Sequence, residues 1–338
     1  MTVKRTTLKD VAKEARVSVM SVSKALNNKE GVSPETRKHI LSVALKLNYY
    51  PNMVAKNLRL DKTNTLGVIV SDCSEMLVAK VLRSIANGAQ ERGYSIITIN
   101  TDGDSERERH AIELFINKCV DGILMIAPTL ASEQDNDWLN SLHVPMTILM
   151  RNSRHLSIDS VINNNMQGGY DIVDNLIRRG CKSFRFLALS SSSSQVAADR
   201  LEGARLALKE HGLILDPNQI RYCPPDIEQG EAATKAWIQE EGTKFDALVC
   251  GCDVIAIGAI DALLKQGVRI PEQICVSGYD GFELSAHLRV PLTTIRQPSA
   301  EIGRKGVNIL LERIQSPDLP IQHIVLNSTL VERESSMR

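Results

Sequence analysis

Two short segments carry side chains that could perform covalent or metal chemistry. Ser190–Ser194 is a run of serines, and a serine hydroxyl becomes a nucleophile when a neighbouring histidine takes its proton. No Gly-x-Ser-x-Gly elbow or partnered histidine accompanies the run, so we interpret it as a polar loop. Cys250 and Cys252 could ligate a metal, but no nearby His or Cys pair completes a ligand set. Walker-type phosphate loops are also absent. The sequence therefore predicts no enzyme, no metal site and no cofactor.

Positive charge is concentrated at the N-terminus. Residues 1–62 contain thirteen Lys and Arg against five Asp and Glu, a net charge of +8, although the whole chain is neutral. Residues 63–338 therefore carry a net charge of −8. Because phosphate contacts supply much of the affinity for DNA, this pattern favours a DNA-binding head on an acidic body. A solvated, lysine-rich surface is the alternative that charge alone leaves open.

The basic segment has the signals of three short helices. Thr7, Ser18 and Ser33 each precede a helical apolar pattern, and their hydroxyls can cap a first turn. Asp10 has the spacing of a capping box, and Pro34 occupies a first helical position, where its missing N–H costs nothing. The first two helices are joined by a tight turn, so the sequence predicts a helix-turn-helix, whose second helix reads the major groove. The apolar residues expected to form its core are Leu8, Val11, Ala12, Val17, Val22, Leu26, Ile40, Leu41, Ala44, Leu45 and Leu47.

From Thr65 onward, short apolar runs alternate with helical stretches. Uninterrupted runs of this kind indicate strands that are buried on both faces, as in parallel sheets. Two series of such units predict an α/β body of two doubly wound parallel-sheet subdomains, with a ligand cleft beyond the carboxyl ends of the strands. Examples of the predicted strands are 66–70, 95–99, 122–126, 147–150, 184–189, 247–250 and 274–277.

The composition favours a cytoplasmic protein. The sequence has neither an apolar run of about eighteen residues nor an apolar signal-peptide region, so we expect no membrane span and no secretion. Its seven cysteines are scattered, odd in number and mostly within apolar runs. This usage is typical of buried thiols in a reducing compartment.

Spaced motifs occur in order along the chain. In the head they are 8–12 (LKDVA), 32–37 (VSPETR) and 48–52 (NYYPN), and in the body 120–123 (VDGI), 277–280 (SGYD), 291–298 (PLTTIRQP) and 330–335 (LVERES). Through these motifs the chain resembles the LacI/GalR family of bacterial transcription regulators over essentially its full length. The resemblance implies a repressor that binds palindromic operator DNA as a homodimer. It also implies a body similar to periplasmic sugar-binding proteins, in which a small molecule bound in the cleft alters DNA affinity.

We divide the chain into a helix-turn-helix head (1–50), a hinge helix and linker (51–63) and an effector-binding and dimerisation domain (64–338). In the hinge, Leu58 matches the position at which the family inserts a leucine into the minor groove, and Ala55 lies beside it. The two subdomains of the body are expected at about 64–165 with 298–325, and at about 166–297 with 326–338.

In the head, Val19, Met20 and Lys24 match the family's base-reading positions. Many members carry arginine at the last of these, and Lys24 keeps the charge but loses the planar fork that suits guanine. The two apolar side chains would read thymine methyl groups or exclude other bases. Phosphate contacts are expected from Ser18, Ser21, Ser23, Asn27 and Thr36, with simple helix capping as the alternative for each.

In the cleft, arginine and aspartate side chains match positions that often line the family's pocket. They are Asp72, Arg151, Arg200, Asp253 and Asp280. Such groups usually hold sugar hydroxyls, so the resemblance implies a sugar or sugar derivative, although each residue could instead form an ordinary salt bridge. The chain departs from the family at Leu77–Val78, where an aromatic pair is common, at Cys252 (asparagine) and at Asn163 (aspartate). The alternative is a non-enzymatic binding protein, or a regulator that no longer responds to a ligand.

Overall fold

The chain separates into two compact units, 1–63 and 64–338. The computed structural model describes residues 6–49, 62–130, 133–151, 156–189 and 194–338. The proposed hinge residues Ala55 and Leu58 lie outside the described residues, as do serines 190–193. Within the described ranges, no helix combines the length and hydropathy needed to cross a bilayer.

Over residues 6–49 the N-terminal unit forms the predicted bundle of three helices. They are α1 (Leu8–Glu14), α2 (Val19–Leu26) and α3 (Pro34–Lys46). Thr7 and Asp10 form the expected capping box on α1. Ser18 Oγ accepts a hydrogen bond from the Ser21 backbone N–H at 3.0 Å, and Ser33 caps α3 in the same way. These caps satisfy backbone donors that have no partner within a helix, so the polar residues set where each helix begins.

The core of this unit follows the predicted apolar pattern except at two positions on α3. Val11, Val22 and Ile40 are fully buried, but Leu41 and Leu45 are 41% and 75% exposed. Ile40 belongs to the face formed by residues 40, 43, 44 and 47, which is spaced by three and four residues and turned toward α1 and α2. Leu41 and Leu45 lie about one residue step around the helix from that face. Their assignment to the core was therefore wrong.

Within the described ranges the body contains two sheets, as the sequence predicted, and each sheet has six strands. The strands are β1 (Thr65–Val70), β2 (Ser95–Asn100), β3 (Gly122–Ile126), β4 (Met146–Leu149), β5 (Asp159–Asn163), β6 (Phe184–Leu189), β7 (Ile220–Cys223), β8 (Ala247–Cys250), β9 (Cys275–Asp280), β10 (Thr293–Arg296), β11 (His323–Leu326) and β12 (Thr329–Val331). The first sheet has the order β11-β5-β4-β3-β1-β2 and is parallel throughout. The second has the order β12-β10-β9-β8-β6-β7, and only β12 is antiparallel to its neighbour.

Helices pack against these sheets and complete the two α/β layers. They are α4 (Met76–Glu91), α5 (Ser105–Asn117), α6 (Glu133–Ser141), α7 (Asn165–Arg178), α8 (Ser194–Glu210), α9 (Ile227–Glu241), α10 (Asp253–Lys265) and α11 (Ser299–Gln315). Although α11 follows β10 of the second sheet in the chain, its buried residues share a core with β1 and β3. The chain thus crosses between the sheets more than once, and the two subdomains are joined by several segments.

The helices α7 and α8 pack closely against each other beside the second sheet. A Cβ atom on Gly203 of α8 would lie 1.8 Å from the carbonyl oxygen of Met166. We expect Gly203→Ala to destabilise the body by about 1–3 kcal/mol, because the overlap is with backbone that cannot rotate away. Gly88→Ala on α4 is the matched control, since the nearest atom to its new Cβ would be 3.7 Å away. Thermal unfolding of both variants measures the effect, and an unchanged Gly203→Ala melting temperature would contradict the packing argument.

Candidate DNA-binding surface and effector cavity

The second helix of the head exposes apolar side chains at its start. Val19 and Met20, in the first turn of α2, are 44% and 69% exposed. Lys24 lies one turn later and is half-buried, with its ammonium group beside Gly31 in the loop before α3. The three predicted base-reading residues thus lie on the helix that a helix-turn-helix presents to the major groove.

The predicted phosphate-binding residues have hydrogen-bonding roles within the head. The hydroxyl groups of Ser18 and Ser21 lie 2.9 Å apart at the start of α2. At its other end, the Asn27 side-chain amide donates to the Ser23 carbonyl oxygen at 2.8 Å. The Thr36 hydroxyl accepts from Ser33 at the start of α3. Each group is exposed or half-buried, so each keeps capacity for a further hydrogen bond.

A cavity of about 640 Å³ is lined by residues from both sheets of the body. Four of the five predicted effector residues line it: Asp72, Arg151, Arg200 and Asp280. The lining follows the carboxyl ends of strands from both sheets, because Asp72 follows β1, Arg151 follows β4 and Asp280 ends β9. This is where doubly wound sheets bind ligands.

Arg200 is held by several contacts on the second-sheet side of the cavity. Its Nε donates to Asn165 Oδ1 at 3.1 Å, and its Nη1 donates to the Gly251 carbonyl oxygen at 2.5 Å. The guanidinium carbon lies 3.6 Å from the centroid of the Tyr279 ring, a cation–π contact. Nη2 lies 3.7 Å from Asp280 Oδ1. The side chain is therefore fixed before any ligand arrives.

Asp280 is a largely buried carboxylate at the end of β9. Gln297 Nε2 donates to its Oδ1 at 2.6 Å. Burial raises the pKa of Asp280 to about 7, and Arg200 opposes the shift. Its backbone φ of +111° lies in a region that residues other than glycine rarely adopt. Such conformations cost free energy and are concentrated at functional sites.

The raised pKa of Asp280 predicts a pH dependence of stability. An unfolded aspartate has a pKa of about 3.9, so the folded chain binds this proton more tightly. The contribution of Asp280 to the free energy of unfolding is then greatest at low pH and is lost as the pH rises through about 7. Between pH 5 and 8 we expect wild type to lose about 1–3 kcal/mol more than Asp280→Asn. Urea unfolding at both pH values measures this difference, and equal losses would refute the assignment.

Opposite Arg200, the first-sheet side of the cavity is acidic. Asp72 Oδ1 accepts from the backbone N–H and the hydroxyl of Ser74, at 2.8 and 2.7 Å, and these bonds lower the pKa of Asp72. Burial and the neighbouring Asp72 raise the pKa of Glu75. Arg151 donates to the Pro128 carbonyl oxygen. Burial lowers the pKa of Arg151, and this shift is opposed by the charge of Glu108.

Comparison with known proteins identifies the chain. Residues 7–52 match the profile of bacterial regulatory proteins of the lacI family, and residues 173–336 match the periplasmic binding protein-like domain. The ribose operon repressor of Haemophilus influenzae is 33% identical over 97% of this chain and 98% of its own length. The chain belongs to the LacI family. The HTH-type transcriptional repressor PurR of Aliivibrio fischeri is 32% identical over 97% of the chain and 98% of its own length.

A solved LacI-family structure shares the fold. The lac repressor dimer bound to operator and the anti-inducer ONPF superimposes with a TM-score of 0.89 and 27% identity, over 99% of this chain and 100% of that chain. As a LacI-family member, the protein is a DNA-binding transcriptional repressor regulated by an effector. It is not an enzyme.

One predicted effector residue of this LacI-family chain does not line the cavity. Asp253 begins α10 and is fully buried. Its Oδ2 accepts from the Phe282 backbone N–H and the Ser285 hydroxyl, at 2.8 and 2.7 Å, and its Oδ1 accepts from the Thr294 hydroxyl at 2.5 Å. Both carboxylate oxygens of Asp253 thus accept hydrogen bonds from other groups of the protein. We therefore correct the placement of Asp253: it supports the loop after β9 from beneath.

Several lining residues were not among the predicted effector-binding set. Besides Glu75, the walls include Asp102, Thr129, Asn163, Asn165, Phe282 and Gln297. Phe282 is the aromatic residue of this lining and is 5% exposed, and Leu77–Val78 occupy the positions at which the resemblance led us to expect an aromatic pair. A sequence signal was available for two of these residues, since Asn163 ends β5 and Gln297 directly follows β10.

The cysteine pair of the metal hypothesis lies in an apolar core. Cys250 and Cys252 are both buried, and burial raises the pKa of Cys252 to about 12. A thiol in such surroundings stays protonated and is a poor metal ligand. Throughout the described ranges, no group of three or more His, Cys, Asp or Glu has the arrangement of a metal site.

Proposed function

We propose that this repressor binds a palindromic operator as a homodimer, and that a sugar or sugar derivative in the body cavity controls its affinity for DNA. The observation that carries the effector proposal is the fixed Arg200–Asp280 pair in the wall of a 640 Å³ cavity. Cavities of this size hold small organic ligands. A relative with 33% identity is a ribose operon repressor, which supports a sugar as the ligand class. Since it acts on DNA in a bacterium, we place the protein in the cytoplasm.

The charges of the cavity favour an uncharged, hydroxyl-bearing ligand over an anion. Arg200 already contacts two oxygens of the protein and lies beside Asp280, and Arg151 interacts with Glu108. An anion would also meet Asp72 and Glu75 on the opposite wall. Hydroxyl groups can both donate to carboxylates and accept from arginines, so a sugar suits walls of mixed sign.

For DNA recognition we propose that Val19, Met20 and Lys24 read bases. Ser18, Ser21, Ser23, Asn27 and Thr36 are proposed to contact phosphates. The proposed head (1–50), hinge (51–63) and body (64–338) are supported by the division of the chain after Thr63. The proposal that Ala55 and Leu58 enter the minor groove rests on the motif match alone.

Selection of bound duplexes from a random pool tests this function. We expect the full chain to select a two-fold symmetric sequence. A duplex of that sequence, labelled with a fluorophore, then reports affinity while D-ribose, D-glucose and D-galactose are titrated. A change in affinity with one of these sugars supports the effector proposal. If no sugar acts, the protein is a regulator that has lost its ligand or responds to another class.

Edge strands of the body support the dimer. Ile97 on β2 and Tyr222 on β7 are 38% and 64% exposed, and both strands form edges of their sheets. Exposed apolar edges are open to pairing with another chain. We expect light scattering to give the mass of two chains, and a mass of one or four chains would contradict the proposal. Ile97→Asp should weaken this dimer, whereas Ile214→Asp, at a position that is 88% exposed and belongs to neither edge strand, should not.

A further inference from the structure

Arg37 ties the end of the recognition helix to the next helix. It lies in the first turn of α3 and is half-buried. Its Nη1 donates to the Ala25 carbonyl oxygen at 2.9 Å and more weakly to that of Lys24 at 3.4 Å. Its Nη2 donates to the Lys29 carbonyl oxygen at 2.6 Å. One guanidinium group therefore holds both the last turn of α2 and the loop that follows it.

The chemistry of this contact is specific to arginine. The last carbonyl groups of a helix lack donors within the helix and carry the negative end of its dipole. A guanidinium group offers a rigid planar fork that can meet two oxygens at once, whereas a lysine ammonium is a single point charge. Arg37 thus satisfies acceptors at both ends of the segment from Ala25 to Lys29.

Lys24, the charged base-reading residue of the proposed function, directly precedes this segment, and its carbonyl oxygen accepts the weaker bond from Arg37. Its ammonium group lies beside Gly31, where an added Cβ would be 2.9 Å from Nζ. Gly31 has a φ of +91°, so the loop passes close beneath the lysine side chain in a conformation that suits glycine. Movement of the loop would change both the support of Lys24 and the direction of its ammonium group.

We infer that Arg37 is a positioning residue, which fixes the end of α2 and the following loop so that Lys24 points at the base it reads. The inference rests on the proposed base-reading role of Lys24. A direct phosphate contact is the competing role, since arginines in DNA-binding heads often have it. Three carbonyl oxygens already occupy the two terminal nitrogens of Arg37, which favours positioning.

The test compares affinities of full-length variants for two duplexes, the selected sequence and a scrambled one, over a series of salt concentrations. For Arg37→Ala we expect the preference for the selected duplex to fall about tenfold or more, the scale of a lost base contact. Affinity for the scrambled duplex and its salt dependence should stay near wild type. Arg37→Lys should give an intermediate preference, because it can keep only part of the fork.

Lys38→Ala is the matched control, because it removes one positive charge from the adjacent, exposed position of α3. We expect its preference between the duplexes to equal that of wild type. Stoichiometric titration and circular dichroism establish that each variant is folded. If Arg37→Ala is not folded, the duplex preference of Arg37→Lys tests the inference instead.

An unchanged preference in the folded Arg37 variants would overturn the inference. So would an equal loss for both duplexes together with a salt slope reduced by about one, which is the signature of a lost phosphate contact. Failure of the proposed function is distinct from these results. In that case wild type selects no sequence, or Lys24→Ala keeps the wild-type preference.

Discussion

Lys24→Ala is expected to remove most of the operator preference and to leave weak, salt-sensitive DNA binding. A lost base contact costs about 1–3 kcal/mol, so the ratio of affinities for selected and scrambled duplexes should fall by about 10- to 100-fold. Binding to the scrambled duplex persists because the head carries a net charge of +8 over residues 1–62. A mobility-shift assay with both duplexes, at two salt concentrations, measures the ratio.

Two further variants distinguish the effect of losing one positive charge from the effect of the side-chain shape at position 24. Lys46→Ala removes the same charge from an exposed site on α3 and should leave the ratio unchanged. Lys24→Arg keeps the charge and adds the planar fork, so selection with this variant should shift the recognised base toward guanine. Unchanged discrimination by Lys24→Ala would show that Lys24 reads no base.

Capping residues predicted where the helices of the head begin, but the apolar pattern did not fully predict which side chains are buried. Helix starts depend on neighbouring residues, so Thr7, Ser18 and Ser33 predicted them correctly. Which apolar residues are buried depends on the direction in which a helix meets its partners. Leu41 and Leu45 are apolar and helical, yet they lie off the face that packs.

In the body, sheet topology predicted the location of the cavity but not all of its walls. Asp72 and Asp280 were predicted from the family resemblance, and both lie at or just after strand ends, where polar residues meet at one edge of a parallel sheet. Asp253 also follows a strand, but the loop after β9 closes over it and uses both carboxylate oxygens. Phe282 was missed because its place in the wall depends on that same loop.

The second large effect is expected at Arg200. Arg200→Ala should strongly weaken the response to the effector, while operator binding without effector stays near wild type. Arg200 contacts Asn165, Gly251 and Asp280 and lies in the cavity wall, remote in sequence from the head. A hydrogen bond to a charged group contributes about 1.5–3 kcal/mol, so we expect the effector concentration for half-maximal response to rise by about 10- to 150-fold.

Arg205→Ala is the matched control for this variant. Arg205 lies on the same helix, α8, is exposed and pairs only with Glu202 of that helix among the residues described. Its replacement removes an equal charge without changing the cavity, so its response curve should overlay that of wild type. The assay is fluorescence anisotropy of the selected duplex, titrated with whichever of the three sugars shifts the wild-type affinity.

The reasoning behind the Arg200 prediction is thermodynamic linkage. An effector changes DNA affinity only through its different affinities for two conformations of the body, and the coupling is reciprocal. The cavity has walls from both sheets, so a ligand that touches Arg200 and Asp280 on one side and Asp72 on the other favours one separation of the subdomains. Loss of Arg200 removes the contact on one side and therefore most of the difference in affinity. If a sugar still modulates operator binding by Arg200→Ala at the wild-type concentration, the effector binds elsewhere.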